Sequence, residues 1–325
     1  MSNKLLVTYN MDHLPEFQIK ASYFDTTCHS TDYADLFDTI PNYDYLIPSV
    51  KYKLDRKLLL NAGKLKAIST PSTGTDHIDF RTCAELGIEV FSMKNDTEFL
   101  SKITATAELA FSHILNIMRK IPSAYLHVLG GKWDASKFCG HELQGKTLGI
   151  VGYGRLGKMM GDYGLAFHMS VIAYDPYKTI QMVGIQQVNL DELLSKSDII
   201  TLHVHLNDET IGLISRDAFR QMKKGVIIVN TSRGAVVDSN ALLNAMRDGT
   251  VSGAGLDVID NELAGNTSMH PLVEYARKHD NLIITPHIGG VTVDSQRKAF
   301  VHALEKLIDF DIEVNGLNRK SEIIK

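Results

Sequence analysis

A glycine motif placed between a strand and a helix constrains the fold of this chain more than any other feature of its sequence. The β-rich run Thr147–Gly152 leads into the motif, and a helical pattern over Arg155–Phe167 follows it. The pattern is GxGxxG, with its glycines at Gly152, Gly154 and Gly157. Glycines at such a turn let the backbone approach a pyrophosphate, and the helix N-terminus offers amides and a partial positive charge. The motif therefore predicts a dinucleotide-binding turn in a parallel sheet.

An acidic residue ends the next predicted strand. This strand, Ser170–Asp175, places the Asp175 carboxylate where it can accept hydrogen bonds from the ribose hydroxyls of an adenosine. The same carboxylate would repel a 2′-phosphate, because two like charges about 4 Å apart cost about 4 kcal/mol at an effective dielectric constant of about 20. We therefore expect NAD rather than NADP as the cofactor.

Strand and helix patterns alternate along two stretches of the 325-residue chain. The first stretch has strand candidates at Leu5–Tyr9, Ile19–Phe24, Tyr45–Pro48, Ala67–Thr70 and Ile88–Phe91. The second has six, at Thr147–Gly152, Ser170–Asp175, Ile199–Val204, Val226–Asn230, Gly255–Val258 and Leu282–Thr285. Strands that alternate with helices predict parallel pairing through crossover helices, and six such strands predict a doubly wound sheet.

Helical patterns with recognisable end signals lie between and around these strands. Their ranges are Asp55–Ala62, His77–Leu86, Ser101–Lys120, Leu190–Ser195, Arg216–Lys223, Ser239–Arg247 and Val293–Phe310. Ser101 is a predicted N-cap, as are Ser215 and either Asp238 or Ser239, because short polar side chains can accept hydrogen bonds from the first amides of a helix. Two domains are expected at this length.

Composition narrows the function classes. The formal net charge is −4 and apolar residues make up 44% of the chain, which favours neither nucleic acid nor a membrane surface as a partner. The three cysteines, Cys28, Cys83 and Cys139, form no CxxC pair, and the histidines do not have the spacing of zinc ligands. We expect free thiols, no metal and, without a secretory signal pattern at residues 1–10, a cytoplasmic protein.

Three further segments carry groups suited to one reaction. Arg233 follows the strand Val226–Asn230, and a guanidinium there can hold a planar carboxylate through two hydrogen bonds. His287 follows another strand end, between Pro286 and two glycines, and Glu262 could orient its ring. Reduction of a 2-oxo acid needs a cation for the carboxylate, an acid for the carbonyl oxygen and a hydride donor. Arg233, His287 with Glu262, and a nicotinamide would supply them.

Together these motifs resemble those of the D-isomer-specific 2-hydroxyacid dehydrogenases. The resemblance extends over Ser69–Asp79, Thr106–Glu108, Trp133, Gly149–Gly157, Leu202–Val204, Asn230–Asp238, Gly255–Glu262 and Pro286–Gly290. It implies hydride transfer between NAD(H) and C2 of a small D-2-hydroxy acid or 2-oxo acid. It also implies an α/β fold with two doubly wound parallel-sheet domains, in which a Rossmann domain, residues 101–290, is inserted into a flavodoxin-like substrate domain, residues 1–100 and 291–325.

The resemblance further implies site residues and an assembly. Arg233, Glu262 and His287 would be catalytic, and backbone amides near Ser72, Thr73 and Gly74 would help Arg233 hold the substrate carboxylate. Besides the motif glycines and Asp175, the cofactor site would include Arg155, Leu156, His203, Val204, Thr231, Ser232, Gly290 and, as a supporting acid, Asp257. A homodimer would form through the cofactor domain, where the Ser101–Lys120 helix lies.

Two departures from the family pattern leave details open. His205 stands where the family commonly has proline, which affects the expected shape of the adenine-side loop. Leu263, also in place of a proline, follows Glu262, so Asp260 is an alternative to Glu262 as the partner of His287.

The sequence also allows an alternative function and two classes of substrate. The alternative is that the protein is a non-catalytic NAD-binding redox sensor or a corepressor-like interaction protein. However, this chain retains the Arg, Glu and His that a catalytically inactive site would be expected to lose. Lys51 and Lys53 could hold a substrate phosphate, or they could simply form a solvated turn.

Overall fold

The structure is a computed structural model that describes residues 2–262 and 265–315. The chain divides into two compact units, one formed by Met1–Ile103 with Val291–Lys325 and the other by Thr104–Gly290. The first unit is therefore discontinuous in sequence. Within the described ranges, no helix has the length and apolar character needed to cross a bilayer.

The elements of the described chain follow in order. The strands are β1 Lys4–Val7, β2 Asp25–Cys28, β3 Tyr45–Ile47, β4 Ala67–Ser69, β5 Glu89–Phe91, β6 Thr147–Val151, β7 Ser170–Tyr174, β8 Ile185–Gln187, β9 Ile199–Leu202, β10 Val226–Asn230, β11 Val251–Leu256 and β12 Leu282–Ile284. The helices are α1 Pro15–Ala21, α2 Tyr33–Thr39, α3 Arg56–Asn61, α4 Phe80–Leu86, α5 Thr97–Ser101, α6 Ala105–Arg119, α7 Ile121–Leu129, α8 Arg155–Ala166, α9 Leu190–Lys196, α10 Arg216–Gln221, α11 Ser239–Arg247, α12 Pro271–Ala276 and α13 Val293–Asn315. Short 3-10 helices lie at Ile40–Asn42, Ala135–Phe138, Gly234–Val236 and Thr267–Met269.

The first unit is built on a five-stranded parallel sheet with the order β2-β1-β3-β4-β5. Successive residues of one strand enter different cores, because side chains alternate between the two faces of a sheet. Leu46 packs into one apolar cluster, whereas Tyr45 and Ile47 pack into the other together with Phe300 and Leu304 of α13. The helix at the far end of the chain thus completes the core of the N-terminal sheet.

A buried carboxylate also joins α13 to this sheet. Asp311 is fully buried and accepts hydrogen bonds from the hydroxyls of Tyr45 at 2.7 Å and Tyr23 at 2.8 Å. A buried charge is tolerated only where hydrogen bonds replace its lost hydration. These contacts therefore favour one position of α13 on the sheet.

The second unit carries a seven-stranded parallel sheet with the order β12-β11-β10-β9-β6-β7-β8. The chain starts at β6 in the middle, runs outward to β8 and then returns to build the other half from β9 to β12, which is the doubly wound topology. The apolar run of β10 divides between two cores, with Val226 and Ile228 on one face and Ile227 and Val229 on the other. The predicted fold class is confirmed.

Three local predictions are wrong. Ile19–Phe24 was expected as a strand, but α1 ends at Ala21 and the strand is β2, because Pro15 starts a helix whose apolar residues Phe17 and Ala21 face the core. The sheet of the second unit has a seventh strand, β8, which is only three residues long and therefore gives little periodic signal.

The third wrong prediction concerns the helix expected from Ser101 to Lys120. Ser101 ends α5, and α6 begins at Ala105 after Thr104. Lys120 adopts a left-handed conformation that separates α6 from α7, with Pro122 in the first turn of α7. The caps expected at Ser215 and Asp238 are confirmed, since each side chain accepts from amides of its helix.

Candidate active site

The glycine motif forms a tight turn between β6 and α8. Gly152 has a φ of +90°, and a Cβ on this residue would lie 2.7 Å from the carbonyl oxygen of His203. A Cβ on Gly157 would lie 2.2 Å from the carbonyl oxygen of Gly152, so only glycine allows α8 to approach the strand this closely. Gly154, in contrast, faces open space. The first and third glycines are therefore required for packing, while the second leaves the backbone accessible.

Asp175 lies directly beside this turn. Its carboxylate accepts hydrogen bonds from the backbone amides of Tyr153 and Tyr177, both at 3.0 Å. The acid at the end of β7 is thus connected to the glycine turn, as expected for a carboxylate that reads a ribose beside such a motif.

Two polar atoms near the carboxyl ends of β9 and β10 are buried without a hydrogen-bond partner. They are Nδ1 of His203 and Oγ1 of Thr231. Burial lowers the pKa of His203 to about 3, so its ring is neutral, and its Nε2 lies 2.8 Å from Oγ1 of Thr201. Buried polar atoms are normally paired. With the open backbone at Gly154 and the acid at Asp175, these atoms fit a dinucleotide.

Asn230, the last residue of β10, organises the turn that carries the predicted arginine. Its side-chain oxygen accepts from the amide and the hydroxyl of Ser232, and its amide group donates to the carbonyl oxygen of Arg233 at 2.9 Å. Sequence reasoning gave Asn230 no role. Its place at a strand end, directly before the Thr-Ser-Arg segment, was the signal available.

Gly234 lets the arginine turn pack against the neighbouring acidic loop. A Cβ on Gly234 would lie 2.0 Å from the carbonyl carbon of Ile259 and 2.3 Å from the amide nitrogen of Asp260. No side chain larger than hydrogen fits there without movement of the backbone. The turn of Arg233 and the loop of Glu262 are therefore in direct backbone contact.

Glu262 and His287 form the paired acid and imidazole of the site. Oε1 of Glu262 lies 2.6 Å from Nδ1 of His287, and the two side chains are 25% and 38% exposed. The contact places the proton of Nδ1 toward the carboxylate, so Nε2 is the ring nitrogen that does not face Glu262. Oε2 of Glu262 also accepts from the amide of Ile259 at 3.3 Å, which holds the carboxylate in place.

Asp260, the alternative partner, contacts other groups. Its Oδ1 lies 3.0 Å from Nε2 of His270 and also accepts from the hydroxyl of Ser239. Although burial opposes ionisation, these contacts hold the pKa of Asp260 below its usual range. The structure thus pairs Glu262, not Asp260, with His287. Leu263, the departure that raised the question, lies outside the described residues.

Asp257 supports the loop that presents His287. It is 1% exposed, and its carboxylate accepts from the hydroxyl of Thr285 and from the amides of Ile288 and Gly289, at 2.6, 2.9 and 2.7 Å. Its acceptor positions are thus used by the protein itself.

The remaining predicted residues divide between the two units. Arg155 and Leu156 begin α8, Val204 lies beside Gly152, and Gly290 is exposed at the end of the His287 loop. Ser72, Thr73 and Gly74 belong to the first unit, in the loop after β4, where the hydroxyl of Ser72 donates to the carbonyl oxygen of Gly74 at 2.7 Å. Lys51 and Lys53 are exposed on either side of the buried Tyr52.

Comparison with known sequences gives a consistent result. Residues 111–289 match a family model described as D-isomer specific 2-hydroxyacid dehydrogenase, NAD binding domain. The chain is 35% identical over 283 residues to a hydroxypyruvate reductase of Thermotoga maritima, covering 87% of this chain and 90% of that protein. It is 36% identical over 278 residues to a D-3-phosphoglycerate dehydrogenase of Archaeoglobus fulgidus, covering 85% of this chain but 51% of the relative. The chain thus spans about half the length of that relative.

Solved structures agree with the sequence comparison. A D-lactate dehydrogenase of Aquifex aeolicus, complexed with NAD and lactic acid, is similar with a TM-score of 0.79 and 31% identity, over 96% of this chain and 97% of that one. A pyruvate reductase of Chlamydomonas reinhardtii is similar with a TM-score of 0.84 and 27% identity, over 96% of this chain and 97% of its own length.

Proposed function

Because the chain belongs to the family of D-isomer-specific 2-hydroxyacid dehydrogenases, we propose that it is an NAD-dependent oxidoreductase acting on a small D-2-hydroxy acid or the corresponding 2-oxo acid. When bound, NAD(H) would supply the chemistry of hydride exchange with C2 of the substrate. The matched region is an NAD-binding domain, and the glycine turn, Asp175 and the buried atoms of His203 and Thr231 are the groups that would hold the dinucleotide. The wider cofactor set proposed from the family pattern adds Arg155, Leu156, Val204, Ser232 and Gly290.

Each catalytic group has one task in this proposal. Arg233 binds the substrate carboxylate through two hydrogen bonds and so fixes the acid. His287 donates a proton from Nε2 to the oxygen on C2 during reduction and accepts it during oxidation. Glu262 accepts from Nδ1 of His287 and so keeps the ring oriented. The family pattern adds the backbone amides near Ser72, Thr73 and Gly74 to the groups proposed for the substrate carboxylate.

The pairing of Glu262 with His287 at 2.6 Å is the observation that carries the proposal. A panel of 2-oxo acids offered to the purified protein with NADH, and followed at 340 nm, tests it directly. Turnover of at least one unphosphorylated or phosphorylated 2-oxo acid is expected. Binding of NADH without turnover of any acid would instead favour the redox sensor or corepressor-like alternative, which no relative named above supports.

Asp175 is expected to set the choice of dinucleotide. Asp175→Asn keeps an oxygen that can accept from an amide but removes the charge that opposes a 2′-phosphate. We expect the ratio of kcat/KM with NADH to that with NADPH to fall about tenfold or more, since about 1.4 kcal/mol corresponds to a factor of ten. Asp191→Asn, at an exposed acid of α9, is the matched control. An unchanged ratio in Asp175→Asn would show that this acid does not read the ribose.

Helix α7 supports the proposed homodimer. The structure describes all of its residues, and none of them is buried. Its apolar side chains Tyr125, Leu126 and Leu129 are 62%, 65% and 65% exposed. An uncovered apolar helix on a folded unit is typical of a protein interface. This helix belongs to the second unit, the proposed cofactor domain, and a second copy of the chain would bury it.

A charge on this helix tests the assembly. We expect the unmodified protein to sediment as a dimer and the variant carrying both Tyr125→Glu and Leu126→Glu to sediment as a monomer. Val183→Glu, at a side chain that is 95% exposed in the same unit, is the matched control and should leave the dimer intact. A monomeric unmodified protein would rule out the homodimer.

Three further assignments belong to the same proposal. The first unit would be the substrate domain and the second the cofactor domain. The cytoplasm would be the site of action, since the three cysteines are free thiols, with Cys83 buried and Cys28 partly buried. The side chains of Lys51 and Lys53 are exposed, which fits both a phosphate-binding role and a solvated turn. The substrate panel therefore includes phosphorylated and unphosphorylated acids.

A further inference from the structure

His113 is a buried histidine on α6 for which the chemistry proposed above has no use. His113 is 2% exposed, and the backbone of β11 packs directly against its side chain. A Cβ on Gly255 would lie 2.6 Å from Cβ and 2.9 Å from Cγ of His113. Glycine at position 255 therefore makes room for the imidazole, and the close packing leaves the ring little freedom to move.

A chain of hydrogen bonds leads from this ring to the active-site loop. Nε2 of His113 lies 3.1 Å from Oγ1 of Thr285, and Oγ1 of Thr285 lies 2.6 Å from Oδ1 of Asp257. A hydroxyl has one proton, and a carboxylate can only accept. Thr285 must therefore donate to Asp257 and accept from His113, so His113 carries its proton on Nε2. Burial lowers the pKa of His113, with the charge of Asp257 acting in the opposite direction, and the ring acts as a neutral donor.

At the other end of this series of hydrogen bonds, the backbone of His287 has an uncommon conformation. His287 has a φ of +56°, in the left-handed region that residues other than glycine seldom adopt. Such a backbone persists only where its surroundings fix it. The carboxylate of Asp257 does so by accepting from the next two amides, those of Ile288 and Gly289.

We propose that His113 is a positioning residue for the dehydrogenase reaction. By donating to Thr285 it fixes the direction of the threonine hydroxyl, which with Asp257 keeps the loop 285–289, and so the imidazole of His287, in the reactive orientation. This inference rests on the proposed role of His287 as acid and base. His113 contacts the reaction only through Thr285 and Asp257, which distinguishes it from the catalytic residues.

Two substitutions at position 113 separate the hydrogen bond from the packing. His113→Leu keeps an apolar side chain but removes the donor, whereas His113→Gln retains an N–H group at a similar distance from the backbone. We expect His113→Leu to lower kcat about 3- to 10-fold, with the Kd for NADH within about twofold of the unmodified protein, and His113→Gln to recover most of the loss. Ser112→Ala removes one hydrogen bond within the same helix and is the matched control, with unchanged kcat.

Amide hydrogen exchange gives a readout independent of turnover. In His113→Leu the amides of Ile288 and Gly289 should exchange about 3- to 10-fold faster, because the acceptor that protects them is less well fixed. Thr285→Val interrupts the same series of hydrogen bonds at its centre, with almost no change in the shape of the side chain. It is expected to show the same two effects, and it replaces His113→Leu should that variant fail to fold.

The outcomes separate this inference from the proposed function. Unchanged kcat and unchanged exchange in both His113→Leu and Thr285→Val would overturn the positioning role, as would a loss in His113→Leu that His113→Gln does not reduce. An unmodified protein that turns over no 2-oxo acid would overturn the proposed function instead. The exchange rates at residues 288 and 289 would still decide whether His113 fixes the loop.

Discussion

Replacement of His287 by alanine is expected to lower the turnover number by about 10²- to 10⁴-fold, which is the usual contribution of a positioned acid or base. The affinity for NADH should change little, because the groups that would hold the dinucleotide lie on the glycine turn and at the ends of β7, β9 and β10. Steady-state kinetics with the best acid of the panel, together with fluorescence titration of NADH, measures both quantities.

A second histidine of the same unit gives the matched control for this variant. His279, which follows the end of α12, stacks on Tyr275 of that helix at 3.8 Å between ring centroids. His279→Ala should keep the turnover of the unmodified protein. If His287→Ala also turned over at a near-normal rate, the acid and base role of His287 would have to be abandoned.

Alanine at Gly234 is the second change for which we expect a large effect. The added Cβ would meet the carbonyl carbon of Ile259 at 2.0 Å, so either the turn of Arg233 or the loop of Glu262 must move. A shift of about 1 Å between reacting groups can lower a rate by about 10²-fold. We expect a loss of that order in kcat/KM, and a decrease of about 1–3 kcal/mol in the free energy of unfolding from the overpacking.

The control for this variant is a glycine without such a neighbour. A Cβ on Gly63 meets no atom within 4 Å, and this residue does not have a positive φ. Gly63→Ala should therefore leave both kcat/KM and the unfolding midpoint in urea nearly unchanged. A Gly234→Ala protein with unmodified kinetics would show that the close contact between the two loops does not determine the position of Arg233.

The sequence alone predicted the features that depend on local pattern. The strand Val226–Asn230, the cap at Asp238 or Ser239 and the glycine turn all rest on residues close together in the chain. The structure contains the strand and the turn, and it places the cap at Asp238. The α1 region failed for the same reason, because the short apolar run Ile19–Phe24 fits a strand as well as the end of a helix and the start of β2.

What the sequence could not predict are contacts between distant residues. The hydrogen bond from His113 to Thr285 joins residues 172 positions apart, and neither side chain has a pattern that marks the other as its partner. The choice between Asp260 and Glu262 is of the same kind. Both acids follow β11 within a few residues, and only the position of His270 beside Asp260 shows which one is left for His287.

The discontinuous first unit has a consequence for biosynthesis. The apolar face formed by Val7, Tyr45 and Ile47 is covered by Phe300 and Leu304, which the ribosome adds only after the whole of Thr104–Gly290. Domains of a growing chain generally fold as units once their residues are available. The second unit can therefore form its core first, while one face of the N-terminal sheet is covered only in part, by α1, until the last helix emerges. During that interval the nascent chain is most exposed to aggregation and most in need of a chaperone.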